Sequence, residues 1–569
     1  MTINYQNLLL EKVYLSGIES IDSFQYKLIF ELRTGYQIPL ILTFSPQFPT
    51  ELPIIHIDKS SHSIPDIPHV MRSGLICFLD EEGVIWSDIP EKTIDFVFER
   101  VENVLISNPP QEEYHREFSY YFGTLENVEF VLSVYPPADE PEEISVFTIG
   151  KKAFAFLKGD MESKTLLGRL FSTNIHSRSL EKAHYIPLEK TFEGAVPQLD
   201  RFWSNKEISN IIRSHINHKM LIDIQKFSMN KSKHYYLIRI PLLNGEQTVI
   251  GLKYEKINQS LSKRVIPLID EDISDEFKVT PYFVFRNDDT TLLQRGGGVK
   301  KSLNILLIGC GSIGSDLLFI LARSGIKQFT LVDNDELKIE NSYRHFLGMN
   351  KSIGRNYKVE LLKEEFEKRY PNVKIKINAK EAIRTINTGK VDLNDYDLIL
   401  VAIGNPNVER KINRLIYNSS TPAIFTWVEA YGLGGHALVS NNGNQGCYEC
   451  LIDNELRMYS SFAGESDVPF TRNMNGCAGS FTPYGSIDSM ETALLAARLV
   501  MRFLEGDIEG NPLVSWKGSS EIFRSEGFHT SWRYNKSLDS LKQDNYDYIN
   551  PTCDICAEKQ MWSITHDCY

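Results

Sequence analysis

The stretch Leu306-Leu307-Ile308-Gly309-Cys310-Gly311-Ser312-Ile313-Gly314 constrains this chain more than any other. An apolar run ends in glycines spaced G-x-G-x-x-G and passes straight into Leu317-Leu318-Phe319-Ile320-Leu321-Ala322. Further on, Leu331-Val332 leads into Asp333-Asn334-Asp335. Strand, glycine turn, helix, strand and acid in that order read as a nucleotide-binding β-α-β unit. The glycines let the backbone turn tightly and approach a phosphate at a helix N-terminus, and an acid at the end of the second strand accepts hydrogen bonds from ribose hydroxyls. Asn341-Ser342-Tyr343-Arg344-His345-Phe346 follows the acid pair, and Gly354 and Lys358 come soon after. A dehydrogenase has no need of an Asn, an Arg and a Lys gathered there. A site that neutralises a triphosphate does, because each donor or cation offsets charge on phosphoryl oxygens.

At 569 residues the chain exceeds one core, and roughly two to four domains are expected. Its net charge of −13 argues against a sequence-independent grip on nucleic acid. No run of eighteen apolar residues exists, and Met1-Thr2-Ile3-Asn4-Tyr5-Gln6-Asn7 lacks the basic and apolar regions of a signal peptide. A cytoplasmic protein with no membrane association is the expectation.

Residues 300–565 resemble the ThiF/MoeB/ubiquitin-activating family, which adenylates the C-terminal carboxylate of a small protein. The family pattern G-x-G-x-x-G, D-x-D, S-N-x-x-R-Q and a downstream Lys is met by Gly309, Gly311, Gly314, Asp333, Asp335, Asn341, Arg344 and Lys358. The resemblance implies an α/β Rossmann-like adenylation domain that binds ATP and Mg2+ through these residues, with Arg344 and Lys358 also acting in catalysis. There are three departures. Lys358 lies one residue further from its Gly than is usual, His345 replaces the common Gln, and Gly404-Asn405 stands where the family has an Asp-Asn pair whose Asp helps hold magnesium. Asp335 and Glu429 are the candidates to replace that acid.

Four of the eight cysteines fall as Cys447-x-x-Cys450 and Cys553-x-x-Cys556. Two such pairs can close a tetrahedral thiolate site around Zn2+, although the 102 residues between them exceed a zinc-ribbon spacing, and four buried reduced thiols are the alternative. The stretch around Cys447 and Cys450 also resembles the first half of the structural zinc site of MoeB-type enzymes.

Residues 1–135 read as an α+β domain, with strands at 26–32 and 38–44 and a helix at 94–105. Within it, Pro68-His69-Val70-Met71-Arg72-Ser73-Gly74-Leu75-Ile76-Cys77 resembles the active-site stretch of ubiquitin-conjugating enzymes, H-P-N-[IV]-x-x-x-G-x-[IL]-C. Trp86 and the segment 44–53 also match positions of that family. Ile67 replaces the usual His, and His69 replaces the Asn that supports the oxyanion during amine attack. The resemblance implies a thioester-forming Cys77 with His69 as donor, the alternative being a catalytically dead domain of the same shape. Cys477, between glycines and ahead of an apolar helix at 489–497, matches the loop cysteine of activating enzymes. A thiolate there can take the acyl group from an acyl adenylate; a small buried residue is the other reading. Segment 136–143, acidic and proline-containing, looks like a linker, and 136–295 reads as a linker and mixed α/β middle domain without a chemical motif.

The expected organisation is therefore a ubiquitin-conjugating-like domain at 1–135, the middle domain at 136–295, and a ThiF/MoeB-type adenylation domain with cysteine loop and zinc site at 296–569. That order most resembles the activating–conjugating proteins of bacterial CBASS antiphage operons. The resemblance implies a homodimer, and as substrate the C-terminus of a cGAS-like nucleotidyltransferase. Two other classes remain at this point: a sulfur-carrier-protein adenylyltransferase with a fused non-catalytic binding domain, and a scaffold.

Overall fold

The computed structural model describes residues 3–80, 82–125, 128–149, 153–170, 172, 180–197, 201–228, 233–257, 265–271, 273, 277–298, 301–349, 356–370, 372–474 and 480–557. The chain forms two compact units, Met1–Asp288 and Asp289–Tyr569.

The first unit opens with helix α1 (Tyr5–Leu10) and a four-stranded antiparallel sheet of β1 (Leu15–Ser20), β2 (Gln25–Glu31), β3 (Gln37–Thr43) and β4 (Ile54–Ile57), paired in chain order. Alternation puts Tyr26, Leu28 and Phe30 of β2 and Ile38, Leu40 and Leu42 of β3 on the buried face. Helix α2 (Pro90–Leu105), begun by a proline at its first turn, lays Ile94, Val97, Phe98 and Val101 into the same core. Two short helices, α3 (Gln111–Arg116) and α4 (Phe118–Gly123), follow.

Next comes a closed seven-stranded barrel. Its strands are β5 (Glu129–Ser133), β6 (Glu142–Ile149), β7 (Ala153–Leu157), β8 (Glu181–Pro187), β9 (Lys233–Pro241), β10 (Gln247–Lys256) and β11 (Phe277–Arg286), in the spatial order β10-β11-β5-β7-β6-β8-β9. Helices α5 (Met161–Leu170), α6 (Asn205–His215) and α7 (His218–Ser228) belong to this region. Tyr236, Ile238 and Ile240 of β9 pack with Ile208, Ile212 and Ile224 of α6 and α7, so the alternate residues Tyr235 and Leu237 form the barrel's inner cluster with Val131, Ile144 and Tyr282. Segment 136–143, expected to be a linker, is instead held against the barrel and enters it. Its last residues lie in β6, Tyr185 donates a hydrogen bond to the Ala138 carbonyl at 2.7 Å, and Asp139 pairs with Arg239 at 2.7 Å. The barrel also takes in Glu129, ahead of the expected boundary at residue 136.

The second unit starts with α8 (Asp289–Arg295). It is built on a seven-stranded sheet of β12 (Lys301–Ile308), β13 (Ile326–Val332), β14 (Lys374–Asn378), β15 (Leu398–Val401), β16 (Ala423–Val428), β17 (Gly434–Ser440) and β20 (Leu513–Lys517), in the order β14-β13-β12-β15-β16-β17-β20. The first five strands are parallel, and β17 and β20 run antiparallel. A two-stranded ladder of β18 (Arg472–Asn473) and β19 (Ser480–Phe481) stands apart. Helices α9 (Ser312–Arg323), α10 (Lys358–Arg369), α11 (Ala382–Asn387), α12 (Pro406–Ile416) and α13 (Ser486–Leu504) complete the unit as used below. The parallel strands β12 and β15 are buried on both faces, which is why they read as unbroken apolar runs. Among the described residues, no helix is long and apolar enough to cross a membrane.

Candidate active sites

The glycines of the phosphate loop have three separate physical reasons. Gly309 has φ +92, and a Cβ on it would meet the Ala402 carbonyl oxygen at 2.5 Å. A Cβ on Gly314 would lie 2.0 Å from the Gly309 carbonyl oxygen, so this glycine lets α9 pack against the end of β12. Gly311 caps α9, and a Cβ there would meet nothing within 4 Å. Packing explains the first two. The third leaves an open approach to a helix N-terminus, which fits a phosphate-bearing ligand.

Asp333, at the end of β13, holds this loop. Its carboxylate accepts from the Cys310 N–H at 2.6 Å and the Asp335 N–H at 2.7 Å, while burial pushes its pKa up. Lys358 is the first residue of α10; its own side chain is buried, and its Nζ lies 2.9 Å from a carboxylate oxygen of the exposed Asp335. The one-residue offset of Lys358 therefore still delivers its ammonium to the acid pair. Asn341 ends a short 3-10 turn, Ile339–Asn341, and accepts from the Lys338 N–H at 3.2 Å. Arg344 stacks 4.7 Å above the Tyr484 ring, and the Tyr484 hydroxyl donates to Ser312 Oγ at 3.5 Å, at the start of α9.

His345 explains its own departure from the common Gln. Its Nδ1 accepts from the Leu347 N–H at 3.2 Å, which leaves Nε2–H to donate to the Cys310 carbonyl at 2.9 Å. Burial lowers its pKa to about 4, so the neutral ring supplies one donor and one acceptor, as an amide side chain would.

Gly404-Asn405 itself supplies no carboxylate, and its groups serve the fold. Gly404 donates its N–H to Glu409 at 2.9 Å, and the Asn405 side chain caps α12 by accepting from the Asn407 and Val408 N–H groups. Glu409 is itself buried and accepts from the Tyr448 hydroxyl at 2.6 Å. Glu429, one of the two expected substitutes, accepts from the Phe462 N–H at 2.6 Å and the Ala463 N–H at 3.0 Å and lies 2.8 Å from His436 Nε2. Its oxygens are committed to the protein, whereas Asp335 is exposed beside the loop.

Cys447, Cys450, Cys553 and Cys556 come together, all buried, with ligand atoms within 4.8 Å of one another. The Cys447–Cys553 and Cys450–Cys556 Sγ separations are 3.7 and 3.4 Å, close to the roughly 3.8 Å edge of a tetrahedron with zinc–sulfur bonds of about 2.3 Å. Around them, Asn511 donates to the Gly446 carbonyl at 2.6 Å and Tyr548 donates to the Asn511 carbonyl at 2.7 Å. The four-thiol donor set fits a structural zinc.

In the first unit, the Cys77 N–H donates to the His69 carbonyl at 2.8 Å, and Trp86 Nε1 donates to the Pro49 carbonyl at 2.9 Å. His69 has φ +68, a conformation in which Asn, Asp and His are enriched among non-glycine residues, so this position accepts a His as readily as an Asn. Cys77 is exposed, yet desolvation and then the Glu117 charge push its thiol pKa up. The His69 ring lies between two carboxylates, with Nε2 3.9 Å from Glu113 and Nδ1 3.7 Å from Glu117. These two acids were missed by the sequence reading. They sit on and after α3, outside any motif, and only tertiary packing brings both to His69, and Glu117 near Cys77. Cys477 lies outside the described residues; the segments on either side pair as β18 and β19.

A parallel sheet with an open glycine turn, a four-cysteine cluster and an exposed cysteine beside a small α+β sheet are the features expected of activating and conjugating modules in one chain. Residues 298–560 match the ThiF family and residues 17–131 match the prokaryotic E2 family B. The chain thus carries a region that matches an E2 family followed by one that matches the ThiF family, the composition of an ATP-dependent E1/E2-like enzyme. It is similar to the ATP-dependent ubiquitin transferase-like protein Cap2 of Escherichia coli, at 22% identity over 89% of this chain and 92% of that one. The protein of the same name from Pseudomonas aeruginosa is 28% identical over 44% of this chain and 45% of its own length. The Vibrio cholerae Cap2 is 30% identical over 40% of each chain.

Proposed function

We propose that this chain adenylates the C-terminal carboxylate of a protein with ATP, captures the acyl group as a thioester on Cys477, passes it to Cys77 and ligates it to an amine. The observation that carries this reading is the presence, in one chain, of the open Gly311 approach beside Asp333, Lys358 and Arg344 and of an exposed Cys77 with His69 and Glu117 around it. Attack by the substrate carboxylate on the α-phosphorus forms acyl-AMP and releases pyrophosphate. Arg344, Lys358 and the α9 N-terminus offset phosphate charge, and the exposed Asp335 would hold Mg2+, which would supply further charge neutralisation there. The Cys477 thiolate then displaces AMP, Cys77 displaces Cys477, and an amine displaces Cys77, each step breaking one acyl bond as it makes another. The order of the two matched regions, which resembles that of the activating–conjugating proteins of CBASS antiphage operons, makes the C-terminus of a cGAS-like nucleotidyltransferase the substrate in this reading. Ile487, Met490 and Leu494, exposed on one face of α13, favour a homodimer through this domain.

A non-reducing gel with ATP and candidate substrate proteins tests this reading. DTT-sensitive adducts at both cysteines support the relay, whereas AMP formation without any adduct supports a sulfur-carrier adenylyltransferase.

In this reading His69 donates to the oxyanion when the amine attacks. His69→Ala is expected to leave the Cys77 thioester intact and to slow amine transfer by about a hundredfold, the scale of losing one such donor. Unchanged single-turnover transfer would make His69 structural.

Loading of Cys77 needs its thiolate. The thiol pKa is raised above its ordinary value, so the loading rate should climb with pH through the neutral and alkaline range. Glu117→Gln removes a charge that opposes the thiolate and should move that climb to lower pH. An unmoved profile would show that Glu117 does not act on the thiol.

A further inference from the structure

A groove of about 500 Å³ lies in the first unit on the β1–β2 side of the four-stranded sheet. Its floor is aromatic: Tyr14, Phe30 and Phe98 meet with ring centroids 5.0 to 5.9 Å apart. Val13, on the lip, is 99% exposed. Asp95, Phe98, Glu99 and Glu102 follow one another at helical spacing along α2, so a single face of that helix supplies both a floor residue and an acidic wall. Glu31 stands on the rim at the end of β2, and Arg33 is the one basic lining residue.

The charges of the groove are not balanced. Arg33 is taken up by Glu102 at 3.0 Å, and Asp95 accepts from Lys12 at 2.7 Å and from the Tyr14 hydroxyl at 2.6 Å. Glu31 and Glu99 are exposed and make no ion pair among the described residues. An apolar floor with two unneutralised carboxylates on its rim fits a short protein segment that inserts an apolar anchor and carries Lys or Arg on either side of it. The groove has the size of a ligand site. Cys77 follows the edge strand β4, two strand spacings or about 10 Å from β2, and no described residue near Cys77 lines the groove, so this surface is separate from the thiol.

We propose that the groove between β2 and α2 is a docking site for a basic, apolar-anchored segment of a protein partner. Its purpose would be to hold the partner on the E2-like domain by contacts that do not involve Cys77. The proposal stands whether or not Cys77 carries an acyl group.

The test uses the full chain and fluorescein-labelled heptapeptides, one alternating Lys and Arg with Leu and Phe, one with Glu in place of the basic residues, and one with Ser in place of Leu and Phe. The basic apolar peptide is expected to bind saturably by fluorescence anisotropy, and both controls to bind at least about tenfold more weakly. Glu31→Lys with Glu99→Lys, both on exposed positions, should weaken the basic peptide by a similar factor, while the melting temperature stays within a degree or two of the parent. A benzophenone placed at the Phe position should cross-link to residues within 13–35 or 95–102. The proposal is overturned by equal binding of the acidic peptide, by unchanged binding to the double variant, or by cross-links elsewhere. A change in the chain's own oligomeric mass in the double variant would give the groove to a second copy instead.

Discussion

Asp333→Ala and Arg344→Ala are each expected to reduce substrate-dependent exchange of pyrophosphate into ATP by at least about a hundredfold, the scale of losing one pre-placed group at a developing charge. Asp333 acts in two ways. Its carboxylate fixes the Cys310 and Asp335 N–H groups, and so the shape of the loop whose second glycine leaves room for phosphate. As the acid directly after β13 it would also be the acceptor for ribose in the proposed reaction. Arg344 would act through charge, its guanidinium being held over the Tyr484 ring and beside the Thr482 carbonyl. Arg344→Lys keeps the charge but not the planar fork and should recover only part of the exchange. Cys477→Ala should retain exchange, because adenylation precedes thiol attack. Full exchange in Asp333→Ala and Arg344→Ala would place nucleotide binding elsewhere in the chain, and loss of exchange in Cys477→Ala would remove that cysteine from its role.

The second large effect is on stability. Purified chain should contain about one zinc, and Cys553→Ser should lose it and unfold the second unit well below the temperature at which the parent melts. Structural zinc sites contribute about 10 to 16 kcal/mol of apparent binding free energy, as much as a whole domain's net stability of about 5 to 15 kcal/mol. The four cysteines tie the turn at Tyr448–Leu451 to residues 553–556 across the core that also holds Leu513 and Tyr548. Four thiolates leave no open position for water, so the expected loss is of folded protein and not of a chemical step. Metal-free protein with an unchanged melt and unchanged exchange would reject the site.

Elements with short-range patterns were legible in the sequence. The alternation at 26–32 and 38–44 became β2 and β3, the 3.6 period at 94–105 became α2, and the glycine spacing fell at the β12–α9 turn. The cysteine pairs were legible through their local C-x-x-C form, although 102 residues separate them. The barrel was not, because its closure rests on pairings between residues far apart, such as Phe130 with Phe283 and Leu132 with Ala155. No local period marks the partner of a strand, so a proline-containing connection held against a barrel reads like a linker. Glu113 and Glu117 were invisible for the same reason. The acid at Glu429 looked available because sequence shows a carboxylate but not its hydrogen bonds, and those bonds commit it to the backbone at 462 and 463.

The central claim is that one acyl group visits two cysteines of this chain in a fixed order. Peptide mapping of acid-quenched single turnovers, with ATP and the substrate protein, measures this directly. The account requires a thioester on Cys477 and on Cys77 in the parent, on Cys477 alone in Cys77→Ala, and on neither in Cys477→Ala. A thioester on Cys77 in the Cys477→Ala protein would contradict it, since Cys77 would then take the acyl group from the adenylate without a relay.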